Sequence, residues 1–388
     1  TSLRERFRAS LAADLSAGVG VSLSGGIDSG GILAILTDLA KHPIPSVSFG
    51  AHGKGSDDLT SSRQTAAEFA SPNTEIYPSR AGVARIPEFV RKSNLPFIAD
   101  NVLPYGLLME EAHRRGMSAL SYGLGAEMLL GNLKIAHMAY SMRRIEAIVP
   151  RPVLRAVYLL IAQFKHYSEN QRAFLFARSW TERFVLARAP LFNRERDFYK
   201  NIPRDFLPFF AREIDATLAG SGLDLSDEFS LMYLFSWVCY VQRREMGALG
   251  KKFDVSVVMP FDTIEVAEQL FKTPNAFRRK NKWKKMVIRD LYRPYISDRL
   301  YNRKGKSLVV HYTPLLAPAK DALIAYLKTS PLVRDMVDME KVAREYDILP
   351  EPGLFLLRFF GLAAWYDENW NKENLPNLET VCAALREA

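Results

Sequence analysis

Residues 19–30, VGVSLSGGIDSG, constrain this chain more than any other stretch. Val19–Leu23 is a short apolar, β-branched run that predicts a strand. SGGIDSG follows at once, and a helical pattern covers Ile32–Lys41. A strand, a glycine-rich turn and a helix in that order open a parallel α/β unit. Gly25 and Gly26 allow main-chain N–H groups to approach an anion at the N-terminus of the helix. Ser24 and Ser29 add hydroxyl donors. Asp28 is the odd member, since a carboxylate beside a phosphate requires a cation between them. Mg²⁺ takes one or two carboxylates together with substrate phosphates, so Asp28 reads as a magnesium ligand. An ordinary capped turn would need only the SGG.

The rhythm continues beyond the loop. Ile44–Phe49 predicts a second strand, Leu59–Phe69 a helix, Glu75–Tyr77 a third strand, Met109–Arg115 a helix and Ser118–Tyr122 a fourth strand, which runs into a second glycine-rich turn, GLGAE. Before the first strand, Leu3, Phe7, Leu11 and Leu15 share one face of a helix over residues 1–17. Residues 136–250 read as helical and rich in large aromatics. Val255–Phe261 returns toward the core, and the rest is mostly helical. No Pro/Gly/Ser-rich tether marks a boundary, so we expect one α/β domain over 1–388. Its parts are a nucleotide-binding core (1–135), a helical lobe (136–250) and a return segment with a C-terminal helical region (251–388).

Composition narrows the function. Of 388 residues, 48% are hydrophobic, which excludes disorder as a description of the whole. The nearest approach to a membrane span, Val153–Phe164, is too short and is interrupted by Arg155. The first residues lack the apolar core of a secretory signal. Two distant cysteines, Cys239 and Cys382, fit a reducing compartment and leave no four-cysteine zinc site. The expectation is a soluble, cytoplasmic protein with no membrane partner. No HExxH, CxxC or GxSxG occurs, and the six histidines show no ligand spacing. The net charge of +9 includes two basic clusters, Arg278–Lys285 and Arg299–Lys306. Such a surplus suits a polyphosphate-handling enzyme as well as a nucleic-acid binder, and a nucleic-acid partner is the lesser expectation.

The SGGxDS loop resembles the pyrophosphate loop of the N-type ATP pyrophosphatases, and later landmarks resemble their asparagine synthetase-like branch. Ser48-Phe49-Gly50 follows the second strand, and Asp57/Asp58 with Ser62-Arg63 stands where that branch has an acidic residue and an Ala-Arg pair. Asn94-Leu95-Pro96 and Asp100 precede the block YGLGAEMLLGN, whose Gly123, Gly125 and Gly131 fall on family glycines. Pro260-Phe261, Lys285…Arg289 and Arg303-Lys304-Gly305-Lys306 follow in the family order. The resemblance implies an α/β parallel-sheet ATP-pyrophosphatase core with a large helical elaboration, and ATP and Mg²⁺ as cofactors. It implies that Leu23, Ser24, Gly25, Gly26, Asp28, Ser29, Ser48, Gly123 and Lys285 bind ATP and pyrophosphate. Asp28 and Glu127 would hold the metal. Lys306, with Lys304 as the close second, would supply the catalytic cation beside Asp28.

Two departures stand out. Gly30 replaces the usual Ser or Thr after Asp-Ser, removing a hydroxyl. Leu124 stands where asparagine synthetases carry glutamate and β-lactam synthetases tyrosine, leaving only Tyr122, Glu110 and Glu111 as guesses for a base. The chain reaches its loop by residue 24, so an N-terminal glutaminase domain is expected to be absent. Nitrogen would then come from ammonia, a separate glutaminase subunit, or an amine on the substrate, as in β-lactam synthetases and lasso-peptide cyclases; a separate glutaminase or a carrier is the protein partner expected. The implied function is an AMP-forming ligase joining a small-molecule or peptide carboxylate to ammonia or an amine. A degenerate nucleotide- or partner-binding member is the alternative, followed by an RNA-modifying ATP pyrophosphatase.

Overall fold

Four short stretches of β-branched and small residues, and one more polar, pair into a single parallel sheet. They are β1 (Val19–Ser22), β2 (Ser46–Phe49), β3 (Asn73–Ile76), β4 (Ala119–Ser121) and β5 (Ser256–Val258). The computed structural model describes residues 2–15, 18–50, 57–91, 101–126, 145–164, 198–200, 212, 216, 222–223, 225–233, 242–278, 285–303, 310–349 and 351–387. The strand order is β3-β2-β1-β4-β5 and every pairing is parallel. Val21 pairs with Ser46 on one side and Ser121 on the other. The order therefore reverses between β1 and β4. At such a switch point the connections leave toward opposite sides and open a crevice at the carboxyl ends of the strands. The SGGIDS loop leaves β1 at that crevice, and Gly123 follows β4 beside it.

The helices that flank the sheet begin where side-chain chemistry allows it. Helix α1 (Leu3–Ala13) starts with a capping box between Ser2 and Glu5, and it buries Phe7 and Leu11. Helix α2 (Ile27–Ala40) begins five residues before its apolar pattern suggested. Gly26, extended at φ −82° and ψ 166°, turns the chain straight into the helix, and Ile27 and Ser29–Leu36 are all buried. A helix buried on every side has no polar face to mark its start. Helix α3 covers Asp57–Glu68, and α4 covers Val102–Arg114 rather than starting at Met109. Pro104 obscured that start, yet it stands in the first turn, where its missing N–H costs nothing. Strand β3 opens at Asn73, whose side-chain oxygen accepts from Ser46 and Ser48. Those bonds let a polar residue enter a strand that the sequence showed only from Glu75.

Both faces of the sheet are covered. On one, Phe7, Leu33, Ile35, Phe261 and Tyr292 form a core with Val21 and Leu23. On the other, Val47 and Leu120 share a core with Met109, Leu249, Phe355 and Phe360. The last two belong to α8 (Pro352–Asn369), so the C-terminal region packs into the same core as the sheet. Of the intervening helices, α5 is Arg151–Phe164, α6 is Arg243–Lys252 and α7 is Met286–Tyr292; α9 (Leu375–Glu387) closes the chain. Among the described residues no helix is long and apolar enough to cross a membrane. Trp180, Trp237, Cys239 and Tyr240 lie outside the described residues.

Candidate active site

The loop after β1 is held by its own serines. Ser24 N–H donates to Ser29 Oγ at 3.1 Å, and the two hydroxyls are 3.1 Å apart. Ser29 is buried, and its hydroxyl also donates to Gly26 O at 3.4 Å, so it closes the loop, while Ser24 remains exposed. Gly25 takes φ +72°, a region that strains any residue with a Cβ. Its carbonyl accepts from the buried Ser61 hydroxyl on α3 at 2.8 Å. Gly26 caps α2 without a side-chain bond. The first N–H groups of this 14-residue helix thus carry no side-chain cap at the crevice, the arrangement that binds phosphate.

Asp28 is in the first turn of α2. Lys285 Nζ donates to its Oδ2, and both side chains are largely buried. Its Oδ1 is buried without a hydrogen-bond partner. A buried carboxylate oxygen left in that state costs on the order of 1–3 kcal/mol. A divalent cation is one group that would satisfy it, so this half of the donor set fits Mg²⁺. Glu127, the second expected ligand, lies outside the described residues, as do the catalytic candidates Lys304 and Lys306. Asp57 and Asp58 open α3. Asn94–Pro96 and Asp100 are also outside the described residues.

Gly123 explains itself through packing. A Cβ there would stand 2.9 Å from Asp28 Cβ and 3.0 Å from Ser29 N. The close main-chain approach expected at this position is made against the loop itself. Leu23 is buried in the core, with its N–H bound to Val47 O at 2.8 Å. Ser48, expected among the residues that bind ATP and pyrophosphate, follows in β2, and its buried hydroxyl donates to Asn73 Oδ1 at 3.0 Å. Leu124 is part-buried and packs against both cores.

The guessed bases are not brought to the loop as bases. Glu110 and Glu111 lie near the C-terminal end of α4, which leads into the amino end of β4, opposite the crevice. Glu110 accepts from Arg85 Nη2 at 2.5 Å, and Glu111 from Arg114 Nη2 at 2.7 Å. Tyr122 does lie at the carboxyl end of β4. Burial pushes its hydroxyl well above the usual tyrosine range, with Tyr105 adding to the effect, so at neutral pH it can donate a proton in a hydrogen bond and not act as a phenolate.

Three contributors escaped the sequence. Tyr292 of α7 is fully buried and donates to the Asp28 carbonyl at 3.3 Å. Its ring fills the space beside Gly31, where a Cβ would meet it at 2.2 Å. Leu300 fills the space beside Gly30, 2.8 Å from a built Cβ; the missing hydroxyl at Gly30 is therefore a packing choice. Ser61 pins the loop from α3. Only the pairing of Gly30 with an apolar residue elsewhere could have hinted at this, and sequence spacing carries no such signal.

The basic clusters are partly consumed inside the fold. Arg278 is fully buried and grips Asp227 at 2.5 and 2.7 Å. Lys285 serves Asp28, and Arg299 reaches Glu68 Oε2 at 2.9 Å and Thr65 at 3.0 Å. The Pro260-Phe261 landmark follows β5, where Asp262 pairs with Arg243 at 2.5 Å.

Residues 2–375 match the family model described as asparagine synthase. No curated protein matches the chain. The family chemistry is ATP-dependent amide ligation, supported by ATP and typically by Mg²⁺.

Proposed function

The chain belongs to the asparagine synthase family, and we propose that it is an AMP-forming carboxylate–amine ligase. In the first step a carboxylate oxygen attacks the α-phosphorus of ATP, and the bond to the leaving pyrophosphate breaks. In the second, an amine nitrogen attacks the acyl carbon, the bond to AMP breaks, and a proton leaves the nitrogen. Bound Mg²⁺ would neutralise phosphate charge beside Asp28. The uncapped first turn of α2 orients the phosphates, and Lys285 adds a cation. Glu127, Lys304 and Lys306 complete the proposed set.

The observation that carries this reading is the buried, partnerless Oδ1 of Asp28 beside an uncapped helix terminus. Leu124, packed into both cores, offers no acid–base group. This supports a substrate whose amine arrives ready to react, including one that carries its own amine. The buried ion pairs of Arg278 and Lys285, with the pairing of Arg299 to Glu68, favour this reading over RNA modification.

Calorimetry of Mg²⁺-ATP binding, with Asp28→Ala and Gly123→Ala beside the wild type, tests the site without knowledge of the substrate. Magnesium-dependent binding that is lost in Asp28→Ala and weakened in Gly123→Ala supports it. Incubation with carboxylic acids should then release AMP and pyrophosphate; ADP and phosphate would refute the reaction. A wild type that binds neither ATP nor pyrophosphate would favour the degenerate alternative.

A further inference from the structure

Asp28 is held by α7 at two points. Lys285, at the cap of that helix, donates from Nζ to Oδ2, and Tyr292 in its last turn donates to the main-chain carbonyl at 3.3 Å. The helix is braced from behind by α1. Arg4 donates at 2.8 Å to the carbonyl of Asp290 and at 3.3 Å to that of Leu291, both in the last turn, where helix carbonyls lack an internal partner. The Phe7 ring meets the Tyr292 ring edge-on, with centroids 5.8 Å apart. Arg8 donates to the Tyr295 hydroxyl at 3.2 Å. The Lys285 ammonium is therefore presented to Asp28 by a fixed frame. An intramolecular cation held in this way competes with a free one at a high effective concentration.

Only 14% of the Lys285 side chain and 18% of the Asp28 side chain are exposed, so water screens charges here less than at a surface. Arg289, buried on the same helix, is a second cation whose charge interacts with that of Asp28; its Nη2 donates at 2.7 Å to the carbonyl of Arg303. A divalent cation on Oδ1 would stand beside the ammonium on Oδ2, and the Asp28 carboxylate alone would face three positive charges. A polyphosphate changes that balance, because it brings several negative charges to the uncapped first turn of α2. We propose that Lys285 makes metal entry conditional: it occupies Asp28 by default, so the site refuses free Mg²⁺ and admits the metal only together with a polyphosphate. By linkage, the metal then strengthens polyphosphate binding by the same factor. The proposal rests on the ligase reading for what the site binds, and adds how its loading is controlled.

The experiment uses the full chain as wild type, Lys285→Met, Lys285→Arg and the double variant Lys285→Met with Asp28→Asn. Mg²⁺ alone, pyrophosphate alone and the two together are titrated by calorimetry, corrected for the magnesium pyrophosphate that forms in solution. Wild type should bind Mg²⁺ alone roughly tenfold more weakly than Lys285→Met does. Pyrophosphate should tighten Mg²⁺ binding by a larger factor in wild type than in Lys285→Met. Lys285→Arg, which keeps the charge, should behave as wild type, and the double variant should lose the gain in Mg²⁺ affinity. Mg²⁺ bound no more tightly by Lys285→Met than by wild type overturns the proposal, and so does equal coupling to pyrophosphate in the two. A gain retained in the double variant overturns it as well, because the metal would then sit away from Asp28. Should Lys285→Met not fold, Lys285→Gln takes its place under the same criteria. A wild type that binds pyrophosphate neither alone nor with Mg²⁺ refutes the ligase reading, and the comparison with Mg²⁺ alone still decides whether Lys285 excludes the metal.

Discussion

The Lys285 ammonium sits on Oδ2 of Asp28, while Oδ1 of the same carboxylate is buried with no hydrogen-bond partner. One half of the carboxylate is neutralised by the protein and the other half is left for something else. Removal of the lysine should therefore expose the full cost of the buried charge. Lys285→Met is expected to destabilise the fold by about 1–3 kcal/mol. Added Mg²⁺ should raise the melting temperature of this variant more than that of wild type, because the metal can replace the missing cation. Equal Mg²⁺ responses in scanning calorimetry would show that Asp28 is not a metal ligand.

The contact between Gly31 and Tyr292 should be among the least tolerant around the loop after β1. A Cβ at Gly31 would overlap the ring at 2.2 Å, and the ring is fully buried. Gly31→Ala should cost about 1–3 kcal/mol through overpacking. Tyr292→Phe keeps the ring and removes only the bond to the Asp28 carbonyl, so about 1 kcal/mol is expected. Urea unfolding of the two variants distinguishes packing from hydrogen bonding, and a larger loss in Tyr292→Phe would contradict the packing account.

Cys382 should be inert. It is buried in α9, and burial pushes its thiol up to about 11. Since the thiolate is the nucleophile, iodoacetamide at pH 8 should leave Cys382 unmodified in the native protein and label it after denaturation. Peptide mass spectrometry reads this directly. Rapid native labelling at Cys382 would mean that α9 opens locally.

Acid should weaken the fold partly through Glu111. Burial raises its carboxyl, but the paired Arg114 and Arg115 outweigh that and hold it below its ordinary 4.5. A carboxyl lowered in the folded state adds stability above the unfolded value and loses it as pH falls through the folded one. Below pH 4.5 wild type should therefore lose stability more steeply than Glu111→Gln. Parallel stability curves from pH 6 to 3 would show that the ion pairs contribute nothing.

The boundary between sequence and structure runs through particular residues. Strand β1, the loop and the parallel sheet were legible because a strand, a glycine turn and a helix are local events written in adjacent residues. The place of Asp28 in the first turn after the loop was legible for the same reason. The start of α2 was not, since a helix buried on all sides shows no periodicity before Ile32. A motif match gives Ser48 a position along the chain and not the direction of its side chain; Asn73, 25 residues away, accepts from its hydroxyl. Gly30 showed in the sequence only as a missing hydroxyl, while in the fold Leu300 fills the space a Cβ would take.

By itself the sequence determined the α/β class, the glycine-rich loop after β1 and the family. Tertiary structure alone decided that β1 and β4 lie side by side, so that the loop and Gly123 meet. It also decided that one face of α7 would carry Lys285 and Tyr292 to Asp28 and Arg289 to Arg303. The physical reason is distance along the chain. Lys285 stands 257 residues from Asp28, and no local pattern records which charge will neutralise a carboxylate until both are withdrawn from water.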